Sequence, residues 1–344
     1  MYADIPLWLS IVFMLGGLVA LAWSRDVFVD GSAAVAKILG VSPLIIGMVI
    51  IGFGTSAPEL CVSVMSGLNG HADLSLGNAY GSCIFNIAII LGVAVMIFPL
   101  VVRPSVAYIS GGLLTFVSLF SWFILKDGFC SRADATALLV GFAIIMPLYC
   151  WFDQKANPPA GEGAEKRLPD RIRLDARYRR ILRGRFLVAT IKCLVGLAVL
   201  IGSSHFLVWG AVDFARAVGV SDLMIGLTIV AVGTSLPELA SAIQSARKGE
   251  HEFVLGNIIG SNLFNTLAVV GLATVISPTD GFSPYILTRD LPLMAALSLS
   301  IFFFGFNWKH PKFPGAINRK KAFIWLSVFV AYTIIMFLQE TGRL

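Results

Sequence analysis

Two glutamates, Glu59 and Glu238, lie deep within apolar stretches of the chain. An ionisable side chain at membrane depth is costly and marks a functional site by default. A carboxylate kept for structure would be matched by Arg or Lys, yet no basic residue lies near either glutamate in its own segment. A bound cation is the simplest remaining partner, and the neighbouring residues supply what a cation needs. Thr55 and Glu59 are four residues apart, as are Thr234 and Glu238, which puts each pair on one helix face with Ser56 and Ser235 adjacent. Ser82 with Asn86, and Ser261 with Asn265, repeat that spacing further on. Pro58 and Pro237 lack the N–H that would bond the carbonyls of Gly54 and Gly233. Freed carbonyls at membrane depth are tolerated where they line a cavity. The donors are all oxygen, from carboxylates, hydroxyls, amides and backbone. Hard cations such as calcium and sodium prefer this set.

The charge balance suggests a route to exchange. A site with about two negative charges is expensive to enclose in a low-dielectric core, whereas the same site filled with cations is near neutral and can close. That penalty forbids return of the bare carrier and predicts an antiporter.

These residues occur twice because a whole segment does. Residues 52–92 read GFGTSAPELCVSVMSGLNGHADLSLGNAYGSCIFNIAIILG, and residues 231–271 read AVGTSLPELASAIQSARKGEHEFVLGNIIGSNLFNTLAVVG. The copies align without a gap at a constant offset of 179. Such a repeat decides architecture before any local reading. Gly67, Gly77, Gly81 and their counterparts are read as small residues that let helices approach closely. The glutamates do not fit that reading, since helix packing does not call for two unpaired acids. Asn78 and Asn257 either line the site or brace it. Cys83 stands where the second copy has Asn262, so this position is expected to support the site rather than bind the ion.

The elements that position these groups are membrane spans. The chain is 57% hydrophobic and only 13% charged over 344 residues, with a mean hydropathy of +0.84. Most of it is expected to lie in the bilayer. Ten spanning helices are expected, at 6–23, 42–68, 74–98, 105–125, 133–152, 186–208, 221–246, 253–276, 288–307 and 322–339. No cleavable signal is evident at the start. Five Cys without a C-x-x-C pair argue against a disulfide framework, and four His at helix ends or in loops argue against a zinc or copper site. No cofactor is expected.

The polar stretch Asp153 to Arg185 holds ten Lys/Arg and five Asp/Glu, net +5 of the chain's +6. Between spans, this reads as a topogenic cytoplasmic loop rather than a nucleic-acid site. Its Asn-Pro-Pro-Ala-Gly-Glu-Gly start reads as flexible, and its Arg-rich end is expected to form a short amphipathic surface helix. Fixing this loop in the cytoplasm places 20 Lys/Arg on that side and 5 on the other, with Lys192 snorkelling back. Both termini then lie opposite the cytoplasm. Five spans separate the two copies, so they cross the membrane in opposite directions. The expected fold is an all-α integral membrane protein of ten transmembrane helices in two inverted five-helix repeats, 1–152 and 186–344, joined by a hinge at 153–185.

At GTSAPE (54–59), GTSLPE (233–238), GNAYGSCIFN (77–86) and GNIIGSNLFN (256–265), the chain resembles the calcium/cation antiporter superfamily, specifically prokaryotic sodium/calcium exchangers. The resemblance covers nearly the whole chain. It implies a central site on the second, third, seventh and eighth spans. By position, the ligands would be Thr55, Ser56, Glu59, Ser82 and Asn86, with Thr234, Ser235, Glu238, Ser261 and Asn265. Carbonyls near Gly52 and Ala231 would add to them. It also implies that the first and sixth spans slide past the rest. Two features depart from or refine the pattern. Some relatives carry Asp at one of the positions of Asn86 and Asn265, and here both are Asn. Potassium-dependent relatives tend to have Asp at the second, so Asn265 argues weakly against potassium coupling. Proton-coupled relatives typically lack G-T-S-x-P-E, so its presence favours sodium, although both glutamates could bind protons.

The leading reading is sodium/calcium exchange by alternating access, in a bacterial inner membrane. Its partners are the two ions and the lipid, with no obligate protein partner. The alternatives are a proton- or potassium-coupled exchanger of the same fold, an exchanger of another divalent cation, or a passive pore, which broken helices in inverted repeats disfavour. A membrane enzyme ranks last, since the motifs contain no nucleophile–base pair or nucleotide loop. The absence of G-x-x-x-x-G-K-[ST] disfavours an ATP-driven pump.

Overall fold

A computed structural model of the chain describes residues 6–38, 56–104, 106–156, 176–247, 249, 251–310 and 312–342. The first repeat begins with α1 (Leu7–Ile38), α2 (Ala57–Leu68), α3 (Ala72–Ile97) and the short strand β1 (Leu100–Val102). It continues with α4 (Val106–Ile124) and α5 (Arg132–Ala156). The second comprises α6 (Ala176–Val218), α7 (Asp222–Thr234), α8 (Leu236–Arg247) and α9 (His251–Phe264, continued by Asn265–Val269 and Val270–Ile276). It ends with α10 (Ile286–Gly305), strand β2 (Gly315–Ile317) and α11 (Arg319–Glu340).

Among the described residues, eight helices are long and apolar enough to cross a membrane, and the pair α7–α8, bent by 44°, makes up to nine. The shorter apolar α2 is the described part of the segment expected at 42–68, so the count of ten is not reached on described residues alone. Two expectations need correction. The first span runs on to Ile38, well past residue 23. The Arg-rich end of the hinge is not a separate surface helix: Ala176–Arg185 is continuous with the sixth span in one helix of 43 residues. Neither Pro nor Asn occurs in 176–185, and the single Gly184 costs a helix interior only about 1 kcal/mol.

The inverted relationship shows in the loops. β1, between α3 and α4, pairs antiparallel with β2, between α10 and α11. Cys130, between α4 and α5, makes a reciprocal backbone pair with Thr279, between α9 and α10. The two ties lie at opposite ends of α4. α3 therefore ends at one face of the bundle and its counterpart α9 at the other.

α3 and α9 form the centre. Nearly every side chain from Leu74 to Ala88 is buried, and Val254, Leu255, Ile258, Ile259 and Leu263 to Val270 match them. α1, α6 and α11 form the rim. They expose large apolar side chains such as Trp8 (65%), Val19 (72%) and Phe323 (63%), as lipid-facing helices do. α1 and α6 pack along each other with little between them. A Cβ at Gly210 would sit 2.6 Å from the Met14 amide nitrogen and the Ser10 carbonyl, and one at Gly196 would sit 2.5 Å from the Phe28 amide nitrogen. This pair shares an apolar cluster with Ala57, Val62, Leu74, Ile225 and Val230, separate from the large core around α3, α9 and α10.

A candidate cation site at two helix starts

A helix of the second repeat is broken at Ser235, and a helix of the first repeat starts at the matching place. Ser235 (φ −92°, ψ 4°) ends α7, and α8 restarts with Pro237 in its first turn. Ser56 (φ −98°, ψ 11°) precedes α2, which carries Pro58 in its first turn. The prolines thus stand in the first turns of α2 and α8, where their missing N–H is harmless. Glu59 and Glu238 lie in these first turns, where the positive helix end favours a carboxylate. The preceding half-helix α7 points its carbonyl end at the same spot, which favours a cation.

The central helices change pitch at their candidate ligands. A π-helical turn begins at Asn86 in α3 (Asn86–Leu91) and at Asn265 in α9 (Asn265–Val269). Such turns are frequent at functional sites.

The starts of α2 and α8 meet in the middle. Ser235 Oγ donates to Glu59 Oε1 at 3.1 Å, so the second repeat's break touches the first repeat's carboxylate. Thr234 Oγ1 donates to Asn78 Oδ1 at 3.4 Å and to the Ala231 carbonyl at 3.3 Å. Asn86 Nδ2 donates to Asn262 Oδ1 at 2.9 Å. Ser56, Glu59, Ser82, Asn86, Thr234, Ser235, Glu238, Ser261 and Asn265 are all buried, as is Ala231. Glu238 acts electrostatically on Glu59, and among the described residues no Lys or Arg nitrogen pairs with either carboxylate.

Buried polar atoms in proteins nearly always have a hydrogen-bond partner. Here Ser56 Oγ, Glu59 Oε2, Ser82 Oγ, Asn86 Oδ1, both Glu238 carboxylate oxygens, Ser261 Oγ and Asn265 Oδ1 are buried with none. All eight are oxygens of expected ligands, a donor set that fits a hard cation. The Ala231 carbonyl differs, being already engaged by the Ser235 N–H and the Thr234 hydroxyl. Gly52 and Thr55 lie outside the described residues. Neither His nor Cys contributes, and no cluster of three or more His, Cys, Asp or Glu suited to a metal occurs among the described residues.

Sequence reasoning missed Ser63 and Ser75, which brace the start of α2 but are not repeated in the second copy, so comparing the copies hides them. Asn262 Nδ2 donates to the Cys83 carbonyl at 3.1 Å while its Oδ1 holds Asn86.

The family model for sodium/calcium exchanger proteins matches residues 9–151 and 188–338, both halves of the chain. The chain belongs to the sodium/calcium exchanger family. CaxA of Alkalimonas amylolytica is 37% identical over 328 residues, 95% of this chain and 98% of its own length. The sodium/calcium exchanger MaX1 of Methanosarcina acetivorans is 27% identical, covering 95% of this chain and 98% of its own. A solved structure of the sodium–calcium exchanger NCX_Mj, soaked with sodium and strontium, superposes with a TM-score of 0.60 at 26% identity, over 95% of this chain and 98% of that one. This member of the exchanger family is thus an integral membrane protein of a cation-antiporter fold, and its family is one of transporters rather than enzymes.

Proposed function

We propose that the chain exchanges calcium for sodium across the membrane by alternating access at the site between α2, α3, α7, α8 and α9. The observation that carries this reading is the convergence of eight buried, unpartnered oxygens, three of them carboxylate, from both repeats. Glu59 and Glu238 supply the charge that balances one calcium or two or more sodium ions. The neutral oxygens of Ser56, Ser82, Asn86, Thr234, Ser235, Ser261 and Asn265, with Thr55 and the carbonyls near Gly52 and Ala231, replace water around the ion.

The energetics then impose exchange. Two buried carboxylates repel each other and resist enclosure until cations neutralise them. The carrier changes access only when filled, so calcium leaving one face requires a counter-ion to return. The α1–α6 pair is the element that moves: glycine contacts let its two helices travel as one body, and the apolar cluster it shares with α2, α3 and α7 is separate from the large core. The hinge 153–185 lies in the cytoplasm and both termini opposite, in a bacterial inner membrane. E. coli YrbG, an inner membrane protein by name, is 34% identical over 307 residues and supports that location.

The test is radiolabelled calcium uptake into sodium-loaded proteoliposomes diluted into sodium-free buffer, beside vesicles holding potassium, choline or a pH gradient. Uptake driven only by sodium supports the proposal. Uptake driven by pH or potassium moves the coupling ion, and calcium flux without any counter-ion overturns exchange.

A further inference from the structure

The two half-sites carry matching ligands but are wired differently. Asn78 Nδ2 donates to the Glu59 backbone carbonyl at 3.0 Å and to Ser63 Oγ at 2.9 Å. Ser63 Oγ donates to the Ser75 carbonyl at 3.0 Å, and Ser75 Oγ returns a bond to the Ser63 carbonyl at 2.8 Å. With Thr234 Oγ1 on its Oδ1, every hydrogen-bonding group of the Asn78 side chain is used. Asn78, Ser63 and Ser75 are all buried. This network pins the first turns of α2 to α3, and Ser235 adds a bond on the Glu59 carboxylate itself.

The second repeat keeps the asparagine and loses both serines. At the offset of 179, Ser63 becomes Ala242 and Ser75 becomes Val254. Asn257 Nδ2 is buried without a partner, and neither Glu238 oxygen has one. An amide with no acceptor cannot hold the backbone of α8 to α9. We propose that Asn78 is a positioning residue that fixes Glu59 as the rigid carboxylate of the site, while Glu238, lacking an equivalent brace, is the carboxylate that adjusts between one divalent and several monovalent ions. This inference rests on the exchange reading above. It gives the site one geometry-setting wall and one compliant wall, which suits cargo differing in charge and number.

The test pairs a measurement that needs no cation with one that does. Hydrogen–deuterium exchange on the full chain in detergent compares residues 56–66 with 235–245. The first segment exchanges more slowly, and Asn78→Ala brings it to the rate of the second. Calcium uptake then compares Asn78→Ala with Asn257→Ala. The first raises KM about tenfold with a smaller change in kcat, and the second changes KM less than about twofold. If Asn78→Ala does not fold, Ser63→Ala carries the same test at reduced amplitude. Ala242→Ser with Val254→Thr installs hydroxyls beside Asn257 and slows exchange over 235–245. Equal exchange in the two wild-type segments, or equal KM effects of the two asparagine variants, overturns the inference. If the exchange asymmetry holds but the wild type moves no cation, the brace stands and the transport reading fails.

Discussion

Asn262 and Cys83 occupy the same position in the two repeats, and they bond each other. Asn262 Nδ2 reaches the Cys83 carbonyl at 3.1 Å, and Cys83 Sγ lies 3.7 Å from the Asn262 carbonyl. Two equivalent residues can meet in this way only on the axis that relates the copies. α3 and α9 therefore cross at positions 83 and 262, at the centre of the candidate site. The residue types differ because one amide suffices there: Asn262 also holds Asn86, and a second amide facing it would add polar groups without adding partners.

Asn262→Ala is expected to cost about 1–3 kcal/mol, because it leaves the Asn86 side-chain amide unpaired, while the Cys83 carbonyl keeps the Asn86 backbone N–H. Cys83→Ala removes only a weak donor and is expected to cost less. Thermal unfolding in detergent ranks the two, and an equal loss would discount the bridge.

Glu59→Gln and Glu238→Gln should each reduce calcium uptake about 100-fold or more, because a buried carboxylate contributes several kcal/mol to a nearby cation. Neither change should lower the melting temperature in calcium-free detergent, since it removes a buried charge that has no basic partner among the described residues. A variant that melts earlier yet still transports would make that glutamate structural.

Calcium should stabilise the folded protein by linkage, by about 2.7 kcal/mol at 100 times its Kd. A chelator should reverse the shift, and Glu238→Gln should abolish it. A melting curve that ignores calcium at every concentration would argue against a calcium site.

Gly81→Ala should impair transport. Its new Cβ would stand 2.8 Å from Leu227 Cα and 3.0 Å from Ala231 Cβ, driving α7 away from α3 at a cost of about 1–3 kcal/mol. Gly16→Ala meets nothing within 4 Å and serves as the control. Equal activity in both variants would show that the α3–α7 approach is not critical.

Single cysteines placed at the exposed positions Lys312 and Asp127 in a cysteine-free background test the orientation. A membrane-impermeant thiol reagent applied to intact cells should label position 127 and spare 312. The reverse pattern would invert the topology.

Much of this was legible because the sequence states its site twice. The repeat, the apolar spans and the unpaired glutamates each carry a signal that local physics can read. No such cue exists where interactions are single and long-range. Ser63 and Ser75 look like ordinary small residues until α2 and α3 are placed together. The length of α1 was underestimated because Arg25, Asp26 and Asp30 interrupt its hydropathy but not its helix.

The pairing of β1 with β2, and of Cys130 with Thr279, has a consequence for how the protein is made. Every one of these ties joins a loop of the first repeat to a loop of the second. A chain emerging from the ribosome delivers Leu100–Val102 more than two hundred residues before Gly315–Ile317. The leading half must therefore wait in the bilayer with its strand edge and Cys130 backbone open, and only the last two helices to be synthesised complete it.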